Sequence, residues 1–115
     1  MEERANALRT SLASIAGYEL VMEGQDMRAV MLTLAAGQSV PWHYHSDITD
    51  SFVCLEGPTV VETRAPRATH VLMPGERCEV PPKTAHYVHG RDGGPCKFMV
   101  LQGIGAYDNV AVGGR

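Results

Sequence analysis

GQSVPWHYHSDITDSFVCLEG, residues 37–57, sets the frame Gly37-x5-His43-x-His45-x4-Asp50-x6-Gly57. In a β-strand alternate side chains share a face, so His43 and His45 turn inward together and Asp50 returns beyond a turn. A second block, GERCEVPPKTAHYVHG at 75–90, repeats the order of turn, strand and histidine and supplies His86 from another strand. An H-x-H pair alone is weak evidence, because a strand histidine is ordinarily packed or hydrogen-bonded. The two blocks together predict a metal site with His43, His45 and His86 as ligands and Asp50 as fourth ligand or as a base. Three imidazoles and one carboxylate suit Mn, Fe, Co, Ni or Zn, and suit Ca or Mg poorly.

Working outward, the texture is that of short strands. Tyr18 to Met22, Met27 to Leu34, Val40 to His45, Ser51 to Leu55, Thr59 to Arg64, His70 to Met73, Arg77 to Val80, His86 to His89 and Cys96 to Gln102 are separated by Gly and Pro breaks. This predicts an all-β antiparallel sandwich or barrel. Before it, Ala5, Leu8, Leu12 and Ile15 recur at helical spacing up to Gly17. Residues 1–17 therefore read as a short helical arm and 18–115 as a single barrel domain. Several strands are apolar on both faces, among them Ala29 to Leu34 and Phe98 to Leu101, and a chain this short is expected to bury the second face in a homodimer.

The chain has 115 residues, enough for one domain that buries roughly two-thirds of its unfolded surface. Ten Lys and Arg against thirteen Asp and Glu give a formal charge of −3. No basic stripe offers itself to phosphates, which argues against nucleic acid as a partner. The start, Met1-Glu2-Glu3-Arg4, is charged and leads into no long apolar run, so neither a signal sequence nor a membrane span is expected, and the cytoplasm is the expected location. Cys54, Cys78 and Cys96 are odd in number and form no C-x-x-C pair, which fits reduced thiols.

At the two histidine blocks the chain resembles the cupin superfamily, small jelly-roll barrels (double-stranded β-helices) with a first motif G-x5-H-x-H-x3-4-E-x6-G and a second G-x5-P-x-G-x2-H-x3-N. The first motif matches at every spacing, with Asp50 where the family usually has Glu. The second matches at Gly75, Pro81 and His86, while Lys83 replaces the usual Gly and Gly90 the usual Asn. The resemblance implies a cupin barrel with one divalent transition metal per chain, Mn or Fe ahead of Ni, Co or Zn. Asp is one methylene shorter than Glu, which leaves Asp50 open as ligand or base.

Strand parity puts Phe52 and Cys54 on the face of Asp50, and sends Cys96, Phe98 and Val100 inward if Lys97 meets water. Both thiols are therefore candidates for a chemical role, against the commoner use of cysteine as a small buried hydrophobe. Tyr44, Tyr87 and His89 have the opposite parity to the histidine ligands, so Asp50 ranks first as base. A metal so held can bind two adjacent oxygens of a hydroxy-ketone or keto acid and stabilise an enediolate, which predicts an isomerase or lyase for a small polar or anionic metabolite. An Fe(II) dioxygenase and a non-catalytic binding or sensing domain are the other readings. The segments around residues 40–50, 62–66 and 94–108 are also similar to small bacterial cupins of methylthio-sugar phosphate metabolism. That likeness implies a Mn centre with Cys54 or Cys96 assisting removal of the methylthio group.

Overall fold

The computed structural model describes residues 15–113; the expected N-terminal helix lies largely outside them. The described chain folds into ten strands: β1 (Gly17–Glu23), β2 (Met27–Leu34), β3 (Ser39–Tyr44), β4 (Thr49–Glu56), β5 (Thr59–Arg64), β6 (Arg67–Leu72), β7 (Arg77–Val80), β8 (His86–Gly90), β9 (Cys96–Gly103) and β10 (Val110–Ala111). They form two five-stranded sheets, β1-β2-β9-β4-β7 and β10-β3-β8-β5-β6, in which every pairing is antiparallel. This is the jelly-roll architecture the alternating strands call for. No helix among the described residues is long and apolar enough to cross a membrane.

Inward parity builds the core. Val30, Leu32 and Leu34 of β2 meet Phe98 and Val100 of β9, Phe52 of β4 and Val88 of β8 between the sheets. Burial on β9 alternates through its whole length, with Cys96, Phe98, Val100 and Gln102 inside and Lys97, Met99 and Leu101 partly exposed. The last inward residue is polar, and so is the first on β2, Arg28.

Three local features depart from simple alternation. In β3 Val40 and His43 are three positions apart, whereas their partners Val88 and His86 are two apart. Pro41 lies in this interval and has no N–H to give the ladder, so the strand carries one extra residue there. The bulge resets parity, and Val40, His43 and His45 all point inward. Next, β6 begins at Arg67 rather than near His70, because Arg64 and Arg67 pair across a two-residue hairpin at Ala65-Pro66. Finally β10 pairs Val110 and Ala111 with Tyr44 and His43, and two residues carry no alternation to read.

Gly90 explains one departure from the family motif. A Cβ at this position would stand 1.8 Å from the Gly94 carbonyl oxygen, which excludes the usual Asn along with every other side chain.

Candidate metal centre

Two cross-strand rows face each other at one end of the barrel. On one sheet His43 of β3 lies opposite His86 of β8, which lies opposite Thr63 of β5. On the other sheet Arg28 of β2 lies opposite Gln102 of β9, which lies opposite Asp50 of β4. His45, just past β3, completes the group. Ligand atoms of His43, His45, Asp50 and His86 all lie within 4.8 Å of one another, and all four residues are buried.

The rings are oriented from behind. His43 Nδ1 is 2.8 Å from the Pro41 carbonyl oxygen, His45 Nδ1 is 2.5 Å from that of Asp108, and His86 Nδ1 is 2.8 Å from that of Thr84. A carbonyl only accepts, so each Nδ1–H donates, which leaves each Nε2 with a free lone pair in the neutral ring. His45 Nε2 and His86 Nε2 nevertheless stand 3.0 Å from the same oxygen, Asp50 Oδ2. Lone pairs converging on a carboxylate oxygen need a cation among them, either a second proton on each ring or a metal ion. Two imidazoliums beside one carboxylate in a buried site leave a net charge that is costly to desolvate. One divalent ion with N and O ligands fits the donor set better.

Without a metal, His43 and His45 shift in opposite directions. Burial, reinforced by His86 and His45, pulls His43 down to about 4, so its ring is neutral at ordinary pH. Burial also pulls His45 down, but its hydrogen bond to Asp50 outweighs this and the net shift is upward. For Asp50 burial acts upward, and the hydrogen bonds from His45 and His86 overcome it and hold the carboxyl far below its usual range.

Several residues that complete the centre were not singled out from sequence. Gln102 Nε2 donates to Asp50 Oδ1 at 3.1 Å, and Arg28 Nε donates to Gln102 Oε1 at 2.8 Å. Asp108 anchors the segment after β9: its carboxylate accepts from Ser46 N at 2.8 Å and Ser46 Oγ at 2.6 Å, while its carbonyl orients His45. The Tyr107 ring centroid is 5.3 Å from that of His45, and the Arg28 guanidinium carbon lies over the Tyr107 ring, 3.8 Å from its centroid. Parity held a signal for two of these, since Arg28 and Gln102 are polar residues in inward positions at strand ends.

A cavity of about 140 Å³ opens onto His43 and Asp50, with a lining that is mostly apolar and includes Phe52, Phe98, Tyr107 and Gln102. Burial pushes the Tyr107 hydroxyl up to about 12, and Asn109 Nδ2 donates to its oxygen at 3.5 Å.

Cys54 and Cys96 are inward and buried, as parity requires, but neither joins the ligand cluster or the cavity lining. Cys54 lies four residues along β4 from Asp50, about 13 Å at the rise of a strand, with Phe52 between them. Its Sγ accepts from Thr59 Oγ1 at 3.3 Å. Lys83, the residue standing for the motif glycine, is exposed and adopts φ 62°, and its N–H donates to the His45 carbonyl at 2.7 Å. The left-handed turn that favours glycine is thus retained with a lysine in it.

The model of the cupin domain family matches residues 30–102, more than half of the chain, including all four clustered residues. The chain belongs to the cupin family. A solved RmlC-like cupin from Desulfovibrio desulfuricans is 28% identical to it, with a TM-score of 0.64 over 75% of this chain and 79% of that one. An uncharacterised double-stranded β-helix protein from Klebsiella pneumoniae superposes at 0.70 over 87% of both chains at 17% identity. KdgF from Halomonas superposes at 0.63 over 74% of both at 21% identity. The last two likenesses speak for the cupin fold alone. A search of the curated proteins finds no match.

Proposed function

We propose that this cupin binds one divalent transition metal, Mn or Fe ahead of Ni, Co or Zn, through His43, His45, His86 and Asp50, and acts as an enzyme on a small anionic metabolite. The observation that carries the reading is the convergence of three Nε2 lone pairs and one carboxylate oxygen at an apolar cavity. When bound, the metal supplies Lewis acidity to two adjacent oxygens of a hydroxy-ketone or keto acid, making the carbon between them more acidic. The protein's share is positioning and proton placement. The backbone carbonyls behind the rings fix the three imidazoles, and the apolar lining excludes water and strengthens electrostatics inside. Tyr107 keeps its proton at neutral pH, so its hydroxyl can donate to an oxyanion developing in the cavity. One buried guanidinium, Arg28, offsets one buried carboxylate, Asp50, which leaves the charge of a divalent ion to be met by an anionic ligand.

A specific observation favours a second reading, that of a dioxygenase with Fe(II). Among the described residues, the cavity lining offers no carboxylate or imidazole outside the ligand set to serve as base. The two are separated by loading the protein with Mn or Fe and offering small 2-hydroxy-ketones and 2-keto acids in D₂O. Metal-dependent deuterium incorporation, lost in His86→Ala, supports proton transfer. Oxygen consumption without exchange supports the oxygenase, and tight binding with neither outcome leaves a binding or sensing domain.

The edge strand β1 exposes Leu20, Val21 and Met22, which supports a homodimer as part of the same proposal. Light scattering at micromolar concentration is expected to give twice the chain mass, and a monomer mass would overturn it.

A further inference from the structure

We infer that Arg28 and Gln102 are positioning residues that fix Asp50 as a single-oxygen metal ligand and so remove it from the role of base. The inference rests on the metal-binding reading above and says which atom of Asp50 that reading uses. Its basis is the row Arg28–Gln102–Asp50, three residues directly opposite one another on β2, β9 and β4.

A guanidinium has donors and no acceptor, so the atom of Gln102 that meets Arg28 Nε at 2.8 Å is the amide oxygen. The amide nitrogen must then face the other way, toward Asp50 Oδ1 at 3.1 Å. The opposite amide orientation would set N–H against N–H at Arg28 and oxygen against oxygen at Asp50. Arg28 therefore decides how Gln102 lies, and Gln102 decides which oxygen of Asp50 is free. Oδ1 holds the amide proton, and Oδ2 alone faces His45 and His86. With Oδ1 accepting from an amide and Oδ2 committed to the ligand cluster, Asp50 is held by fixed partners that stabilise its charged form and make it a weak base toward a substrate carbon.

Arg28 is an expensive residue for a merely structural task. It is 9% exposed, its Nη2 is enclosed, and that nitrogen has no hydrogen-bond partner among the described residues. The Tyr107 ring face compensates the cation in part. A methionine of similar length would fill the same space without a buried charge, which is commonly neutral or favourable to folding. Metal affinity and folding stability should accordingly respond in opposite senses, and a structural role would not produce that split.

The test uses the full chain loaded with Co²⁺, whose visible spectrum reports ligand geometry, with affinity measured by competition against a chelator. Gln102→Leu is expected to weaken Co²⁺ binding about 10–100-fold and to alter the spectrum. Arg28→Met is expected to weaken it in the same direction, with the thermal midpoint of the metal-free protein unchanged or raised. Because Arg28 acts through Gln102, the double variant should lose little more than Gln102→Leu alone, a non-additive result. Unchanged affinity and spectrum in folded Gln102→Leu overturn the inference, as does full additivity in the double variant. Should Gln102→Leu fail to fold, Gln102→Met, close in length and with no proton to donate to Asp50, replaces it, and unchanged affinity there has the same force. A parent protein that binds no Co²⁺ would sink the metal reading itself, whereas a binding parent with indifferent variants sinks only the positioning role.

Discussion

The two ends of this barrel are built from the same strands and differ in almost everything else. Along β4 the inward residues run Asp50, Phe52, Cys54, and along β9 they run Gln102, Val100, Phe98, Cys96. One end gathers a carboxylate, an amide, a guanidinium and three imidazoles, with Arg28 Nη2 as the enclosed side-chain atom that lacks a partner among the described residues. The other end holds thiols packed with Leu34 and Leu72 in the apolar core. Facing inward is thus a property of parity, whereas taking part in chemistry depends on height along the strand. A rise of about 3.3 Å per residue turns four positions into a separation no side chain spans.

The sharpest way to break the comparison is to remove a ligand from the polar end. His86→Ala leaves two imidazoles and a carboxylate, and metal occupancy is expected to fall to near background by metal analysis of the purified protein. Full occupancy in a folded variant would mean the cluster is not a metal site. Asp50→Asn should also lose metal, by about 100-fold or more in affinity, because the amide is neutral and a weaker ligand. Retained metal with abolished turnover would instead return Asp50 to the role of base.

Protons sharpen the same contrast by competing at the ligands. The upward shift of His45 means the metal-free protein carries a proton there at pH 6.5, which metal must displace. Affinity is therefore expected to rise with pH through this region and to level off once His45 is deprotonated. Below pH 6.5 each unit should cost about tenfold. His43, lowered to about 4, enters the competition only near that pH, where the dependence should steepen. A titration that stays flat between pH 5 and 6.5 would remove His45 from the ligand set.

How much of this was legible in the sequence follows from the same logic. Alternation exposed the strands, the inward set on β4 and β9, and three histidines with an acid at metal-binding spacing. It did not disclose the Pro41 bulge, without which Val40 and His43 could not both face inward. Nor did it rank inward residues by height, so Cys54 and Cys96 stood beside Asp50 as candidates while Arg28 and Gln102 passed unremarked. Asp108 and Tyr107 reach the site only because β10 folds back onto β3, a tertiary event with two residues of local pattern.

The turn before His86 gives a smaller effect. Lys83 sits at φ 62°, where a Cβ costs roughly 1–2 kcal/mol, while glycine gives back part of that through a freer unfolded chain. Lys83→Gly is expected to stabilise the protein by up to about 1 kcal/mol in denaturant unfolding, with metal affinity unchanged. A loss of stability would show that the lysine side chain contributes more than its backbone strain.

The smallest effect should come from the thiols. Burial raises the Cys96 thiol above its ordinary range, with Thr59 opposing and Cys54 adding to the shift, so at neutral pH it is a protonated small hydrophobe. Cys54 is fully enclosed and takes its hydrogen bond from Thr59 rather than from any group of the metal cluster. Replacing both with Ala removes one sulfur from each of two packed positions, and about 1 kcal/mol of stability per site is expected to go with it. Metal affinity and turnover should be unchanged, because Phe52 and Phe98 stand between the thiols and the ligands and pack with their rings 5.7 Å apart. In the native protein an alkylating agent should reach the partly exposed Cys78 before either of them, although burial pushes that thiol up to about 11. Fast alkylation of Cys54 or Cys96 in the metal-loaded protein, with turnover lost at the same rate, would instead join the two ends into one site and give sulfur a part in the chemistry.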